Sequence, residues 1–142
     1  MNFQWAIQNE LATGSLPTTE NDVKMLRGGG IKAVLSLEAP SPHIRRLLDQ
    51  YGIERHYAPV QDFSQPGHDQ MDELREILNA WRQQGKPVLV HCYLGIGRCR
   101  TVACAFIASQ IANVEDAFRW VGLPETEKQR EFVREYAAAK RE

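Results

Sequence analysis

The sequence predicts an α/β fold, a three-layer sandwich in which helices flank a mostly parallel central sheet. Three observations carry that prediction. Short apolar runs bounded by turn residues alternate along the chain with segments of helical periodicity, as parallel strands joined by helices require. The run Ile31–Leu37 follows three glycines and is rich in branched apolar residues, the makeup of a buried strand. Met71, Leu74, Leu78 and Trp81 recur at helical spacing and define an amphipathic helix that ends near Gln84.

Taken in order, Thr18-Thr19-Glu20-Asn21-Asp22 reads as a helix start. Val23 and Leu26 form its buried face, and Gly28 to Gly30 its stop. After the strand over 31–37, a short helix over 44–51 is closed by Gly52, and a second strand spans 53–60. Pro66 and Gly67 mark Gln61–Gly67 as a loop before the amphipathic helix. Gly85-Lys86-Pro87 breaks that helix, and Val88–Val90 is read as a central strand. A glycine-containing loop leads into a long apolar helix from Arg98 to Ile111. Two further helices, over 114–121 and 125–141, complete the chain. No repeat or low-complexity tract divides it, so residues 1–142 are expected to form one domain. The functional corner is expected at the carboxyl ends of the strands.

Composition narrows the function classes. Apolar residues make up 43% and charged residues 25%, as in an ordinary globular protein. A net charge of -1 gives no electrostatic reason to expect nucleic acid or an anionic membrane as partner. No apolar run approaches the ~20 residues that span a bilayer. Met1-Asn2-Phe3-Gln4-Trp5 lacks the basic flank and apolar stretch of a signal peptide. Three cysteines, an odd count, argue against a disulfide scaffold and for a reducing compartment. The expectation is a cytoplasmic monomer with no nucleic-acid or membrane partner.

The chemistry concentrates in His91-Cys92-Tyr93-Leu94-Gly95-Ile96-Gly97-Arg98, between the predicted central strand and the long helix. A helix N-terminus lowers the pKa of a nearby thiol and so favours the reactive thiolate. It also offers unpaired N–H groups that can surround a phosphate. Gly95 and Gly97 let the backbone turn tightly enough for those groups to converge. Arg98 adds a planar, permanently charged fork that matches two phosphate oxygens. Nucleophile, anion cradle and charge clamp in one loop suit phosphoryl transfer.

His91-Cys92, Gly95 and Arg98 together resemble the signature loop of the protein tyrosine and dual-specificity phosphatase superfamily, a Cys followed by five residues and an Arg. Trp5, Leu16-Pro17-Thr18-Thr19-Glu20-Asn21, Gly30-Ile31, Leu35-Ser36-Leu37 and Asp62-Phe63 with Pro66 resemble the small atypical dual-specificity phosphatases and their bacterial and archaeal relatives. The resemblance implies a metal-independent and cofactor-free hydrolysis of phosphotyrosine, with phosphoserine and phosphothreonine as further substrates, through a phosphocysteine intermediate. It implies phosphorylated proteins or peptides as partners. It implies His91 as a loop-orienting residue and Asp62, thirty residues before Cys92, as the acid. Asp69 is the rival acid, but it falls at the start of the next helix, where a carboxylate commonly serves the helix dipole.

Two positions depart from the superfamily pattern. Cys99 stands where relatives carry the Ser or Thr whose hydroxyl bonds the nucleophilic sulfur; a thiol is a weaker donor. Slow breakdown of phosphocysteine, or a reversible Cys92–Cys99 disulfide, follows as an expectation. Cys104 lies within the apolar helix as core filler. Arg100 stands where relatives often have Gly, and is expected either to widen the positive mouth of the pocket or to point into solvent. Glu125-Thr126-Glu127-Lys128-Gln129 resembles the glutamine-bearing segment of relatives, which implies Gln129 as a water-positioning residue. Two alternatives stay open: a phosphate-binding adaptor that turns over poorly because of Cys99, and a phosphoinositide phosphatase. The absence of lysine between Cys92 and Arg98 weighs against the latter.

Overall fold

Residues 3, 34 and 89 show how the core is divided. Phe3, Val34 and Leu89 pack with one group of buried side chains, whereas their strand neighbours Leu35 and Val90 pack with the other. Successive side chains of a strand point to opposite faces. A sheet whose consecutive residues are all buried must therefore be covered on both sides. A computed structural model describes residues 1–141 and shows that arrangement.

The elements run β1 (Phe3–Ile7), β2 (Leu11–Gly14), α1 (Glu20–Gly28), β3 (Ala33–Ser36), α2 (Pro42–Gln50), β4 (Glu54–Tyr57), α3 (His68–Gln83), β5 (Val88–His91), α4 (Arg98–Gln110), α5 (Val114–Val121) and α6 (Glu127–Lys140). The strand order is β1-β2-β5-β3-β4, parallel throughout except for β1, which pairs antiparallel with β2. Helices α1 and α2 cover one face through Val23, Leu26, Ile44, Leu47 and Leu48. Helices α3 to α6 cover the other. This is the predicted three-layer sandwich.

Helix boundaries follow their caps. Thr19 caps α1 and exchanges bonds with Asp22 in a capping box, and Thr126 does the same for α6 with Gln129. Ser41 caps α2, with Pro42 in the first turn, so that helix starts two residues earlier than its apolar pattern suggests. The predicted strands over 31–37 and 53–60 shorten to Ala33–Ser36 and Glu54–Tyr57, while β5 runs one residue further, to His91. The β1–β2 hairpin was not foreseen. Its turn passes through Asn9, at φ 62.

Helix α4 positions the site. It is buried on nearly every side, from Arg98 to Ser109, because it lies against α3, α5, α6 and the sheet at once. Such a helix is apolar all round, which is how it looks in the sequence. Its N-terminus therefore points from the interior toward the carboxyl end of β5, at the middle of the sheet.

Candidate active site

The loop from Cys92 to Gly97 joins β5 to α4 and is fastened to the end of β2. The Cys92 N–H donates to the Gly14 carbonyl at 3.4 Å, and the Leu16 N–H to the Tyr93 carbonyl at 3.0 Å. Gly95 adopts φ +87, and a Cβ there would stand 2.8 Å from the Gly14 carbonyl carbon. Only glycine meets both the left-handed backbone and the close approach of β2. Gly97 precedes α4 and gives it no side-chain cap. The N–H groups of Tyr93, Leu94 and Ile96 donate to no other backbone group among the described residues. Those groups are free of backbone partners, as a loop that receives an anion requires.

Cys92 is 2% exposed, at the base of this loop. Its thiol is lowered from 9.0 to about 5. The neighbouring Cys99 thiol is the largest influence; burial works against it, and the N–H groups of Cys99, Gly95 and Gly97 reinforce it. The Gly95 N–H lies 3.3 Å from the sulfur. Cys92 is therefore a thiolate at neutral pH, the form that attacks phosphorus. Cys99 is pushed up well above the ordinary thiol range, first by the neighbouring Cys92 sulfur and then by burial, so it stays protonated and donates. Its thiol donates to the Gly14 carbonyl at 3.7 Å, beside the Cys92 sulfur. Once anionic, that sulfur would be the stronger acceptor, because charge-assisted bonds outweigh neutral ones. The Thr101 hydroxyl does not replace the missing one: it donates to the Gly97 carbonyl at 2.8 Å.

Arg98 is 3% exposed and held by three partners. Its Nη1 donates to Glu38 Oε1 at 2.8 Å and to the Val60 carbonyl at 2.9 Å, and its Nη2 lies 3.5 Å from Asp62 Oδ1. The Nε is buried with no partner. A buried donor left unpaired costs roughly 1–3 kcal/mol, and an incoming phosphate oxygen would remove that cost.

Asp62 thus lies at Arg98, on an exposed loop, where its Oδ1 also accepts the Phe63 N–H at 2.9 Å. Phe63 occupies the left-handed region at φ 60, which is uncommon for a bulky side chain. Asp69 lies in the first turn of α3, as expected of a dipole partner. His91 is fully buried, and burial lowers it to about 4. It is neutral, with Nδ1 3.0 Å from the Cys92 carbonyl and Nε2 2.6 Å from Ser36 Oγ. A carbonyl only accepts, so Nδ1 carries the proton and Nε2 accepts from Ser36.

Gln129 is buried beside Gly97, and both ends of its amide are engaged. Its Oε1 accepts the Thr126 N–H at 3.0 Å, and its Nε2 donates to the Ser64 carbonyl, in the Asp62 loop, at 2.8 Å. Tyr93 and Leu94 are exposed, and Ile96 is half-buried. Arg100 does not point freely into solvent; it donates to the Leu123 carbonyl at 3.0 Å. Cys104 packs in the core, its thiol 3.7 Å from the Ala117 carbonyl.

Glu38 and Ser36 were missed in the sequence. Ser36 pairs in register with His91 across the parallel β3–β5 ladder, and Glu38 follows the end of β3. Only the strand order brings them to the loop. Among the described residues, no group of three or more His, Cys, Asp or Glu could hold a metal ion, and no helix is long and apolar enough to cross a membrane.

A buried thiolate in a loop of inward N–H groups, clamped by an arginine at the start of a helix, defines the tyrosine and dual-specificity class of phosphatases. The chain belongs to the DSP-PTPase phosphatase family of polymorphic toxin systems, whose family model matches residues 11–111. Cyclin-dependent kinase inhibitor 3 of Rattus norvegicus is 30% identical over 132 residues, covering 82% of this chain and 62% of that protein. The chain spans between 48% and 62% of the length of the cyclin-dependent kinase inhibitor 3 proteins it matches. Among solved structures, Tk-PTP in a mutant form superposes with a TM-score of 0.86 at 25% identity, over 99% of this chain and 97% of that one. PTPMT1 superposes with a TM-score of 0.82 at 16% identity, over 99% and 96%, and shares the fold.

Proposed function

We propose that this protein hydrolyses phosphotyrosine, and phosphoserine or phosphothreonine, in phosphorylated proteins or peptides, through a phosphocysteine intermediate and without a metal or other cofactor. The observation that carries this reading is the pairing of the Cys92 thiolate with the unpartnered Nε of Arg98 in one loop. The Cys92 sulfur attacks phosphorus in line and the bond to the leaving oxygen breaks. Arg98 and the N–H groups of Tyr93 to Gly97 hold the other oxygens as charge develops. Asp62 gives its proton to the departing oxygen, then takes one from the water that hydrolyses phosphocysteine. Cys99 donates to the sulfur as it leaves in the second step, and His91 orients the loop. Gln129 is assigned to positioning the water in the second step, through the N–H of its amide that the Ser64 carbonyl does not take.

Exposed Phe63, Tyr93 and Leu94, beside the acid and the nucleophile, favour a phosphorylated residue with an apolar body. The loop's lack of lysine favours protein over phosphoinositide substrates. The test is hydrolysis of p-nitrophenyl phosphate at mildly acidic pH with reductant. Cys92→Ser is expected to abolish turnover. Asp62→Asn is expected to slow it by about 10²–10⁴-fold while vanadate binding persists. Undiminished activity in Cys92→Ser would overturn the reading, and vanadate binding without turnover in the unaltered protein would favour a phosphate-binding adaptor.

A further inference from the structure

Two arginines stand at the start of α4, two residues apart, and about 200° around a helix separates such positions. Arg98 faces Glu38, Val60 and Asp62. Arg100 faces the other way, toward the N-terminal hairpin and the segment after α5. There it lines a cavity of about 210 Å³ with Asn2, Ser15, Leu94 and Ile96. The cavity does not include Cys92, Arg98 or Asp62, but the catalytic loop from Leu94 to Ile96 forms one of its walls.

The electrostatics of this cavity are one-sided. No carboxylate lines it. Arg98, its neighbour on α4, has carboxylate partners, whereas Arg100 makes no ion pair among the described residues. Its one protein acceptor is the Leu123 carbonyl, and its Nε is buried without a partner. The seat of the guanidinium depends on Gly122, at φ +108, where a Cβ would come within 3.0 Å of Arg100 Cζ. The backbone thus leaves room for a half-buried cation that no carboxylate among the described residues pairs with. The Asn2 amide and the Ser15 hydroxyl line the same cavity; Ser15 Oγ accepts the Asn2 N–H at 2.9 Å and donates to the Asn2 carbonyl at 3.5 Å, a long bond that its hydroxyl would exchange for one to an anion. The volume lies below the ~300–1,000 Å³ of pockets for drug-sized ligands, which suits one oxyanion rather than a large molecule.

We propose that this cavity is a second phosphate-binding site, on the opposite flank of the catalytic loop from Arg98, with Arg100 as its cationic ligand. The group bound is a phosphate monoester or free phosphate, held by the Arg100 fork and the Asn2 and Ser15 side chains. Its source is either a second phosphate on the substrate or the phosphate released by turnover; that part rests on the phosphatase reading, whereas phosphate binding itself does not.

The experiment is an inorganic phosphate titration of the full chain, in reductant, followed by amide NMR. The signals of Asn2, Thr13 and Ser15 are expected to shift and saturate, and Arg100→Gln to abolish those shifts. The signals of Glu38 and Val60 report the Cys92–Arg98 site and are expected to respond in both proteins, which also shows that the variant folds. Absence of the Asn2 and Ser15 shifts, or their persistence in Arg100→Gln, overturns the proposal. A response at Asn2 and Ser15 with none at Glu38 and Val60 would instead count against the phosphatase reading and leave this one standing. Phosphopeptides then separate the two sources. A second substrate phosphate predicts that Arg100→Gln lowers kcat/KM about tenfold for a doubly phosphorylated peptide and leaves the singly phosphorylated one unchanged. Product phosphate predicts equal peptide kinetics, with a non-competitive component of phosphate inhibition that Arg100→Gln removes.

Discussion

Replacing Cys99 by alanine should raise the pKa of Cys92. The lowering of that thiol from 9.0 to about 5 corresponds to about 5 kcal/mol in favour of the thiolate. Cys99 heads the groups responsible, and burial opposes them. A hydrogen bond to a charged acceptor is worth about 1.5–3 kcal/mol, and a thiol is a weak donor, so its share lies at the lower end. About 1.5 kcal/mol is about one pH unit. The midpoint for Cys92 in Cys99→Ala is therefore expected near pH 6, and in Cys99→Ser it should stay near that of the unaltered protein, because a hydroxyl donates at least as well. The assay is the rate of alkylation by iodoacetamide as a function of pH. It reads Cys92 specifically, since burial pushes Cys104 up to about 12, and the Cys92 sulfur together with burial holds Cys99 well above the ordinary range. An unchanged or lower midpoint in Cys99→Ala would show that the loop N–H groups alone hold the thiolate, and would refute the role given to the second sulfur.

Further outcomes follow from the same geometry. Glu38→Ala removes the partner that fixes Arg98, and kcat/KM for p-nitrophenyl phosphate should fall about 10–100-fold; Glu38→Gln keeps an acceptor oxygen and should retain most of the rate, so equal losses would argue against an orienting role. Because the folded-state pKa of Cys92 is depressed, its contribution to stability is complete above pH 9 and is lost as pH falls through about 5. Urea unfolding should thus show the stability gap between the unaltered protein and Cys92→Ala widening by about 3 kcal/mol from pH 6 to pH 8, and a constant gap would contradict a buried thiolate. Hydrogen peroxide should convert the Cys92 thiolate to a sulfenic acid with release of hydroxide, and the Cys99 thiol should condense with it, releasing water and forming a disulfide. Dithiothreitol should then restore more activity to the unaltered protein than to Cys99→Ser, and equal recovery would remove the disulfide.

What was legible in the sequence was local. Ile31–Leu37 and Val88–Val90 announce central strands because both faces of the sheet are covered, and α3 shows its stripe because one side faces solvent. Cys92, Gly95 and Arg98 share a single turn of chain, so spacing alone places them together. The β1–β2 hairpin was not legible: β2 has four residues, Leu-Ala-Thr-Gly, and its burial is completed by elements far along the chain. β4 was legible only as part of a longer strand over 53–60, because Glu54–Tyr57 is an exposed edge with no apolar alternation to fix its ends. Glu38 escaped for a different reason. A lone acid after a strand is unremarkable until β3 is known to lie beside β5.

The segment that matches the family ends at residue 111, before α5 and α6 begin. Yet α6 reaches back through Gln129 to the Ser64 carbonyl, inside the loop that carries Asp62. That bond therefore comes from outside the stretch that the family model matches. Changes at Thr126 or Gln129 can alter how firmly that loop is held without touching Cys92, Arg98 or Asp62, so its mobility can be set from a helix that carries none of these three residues.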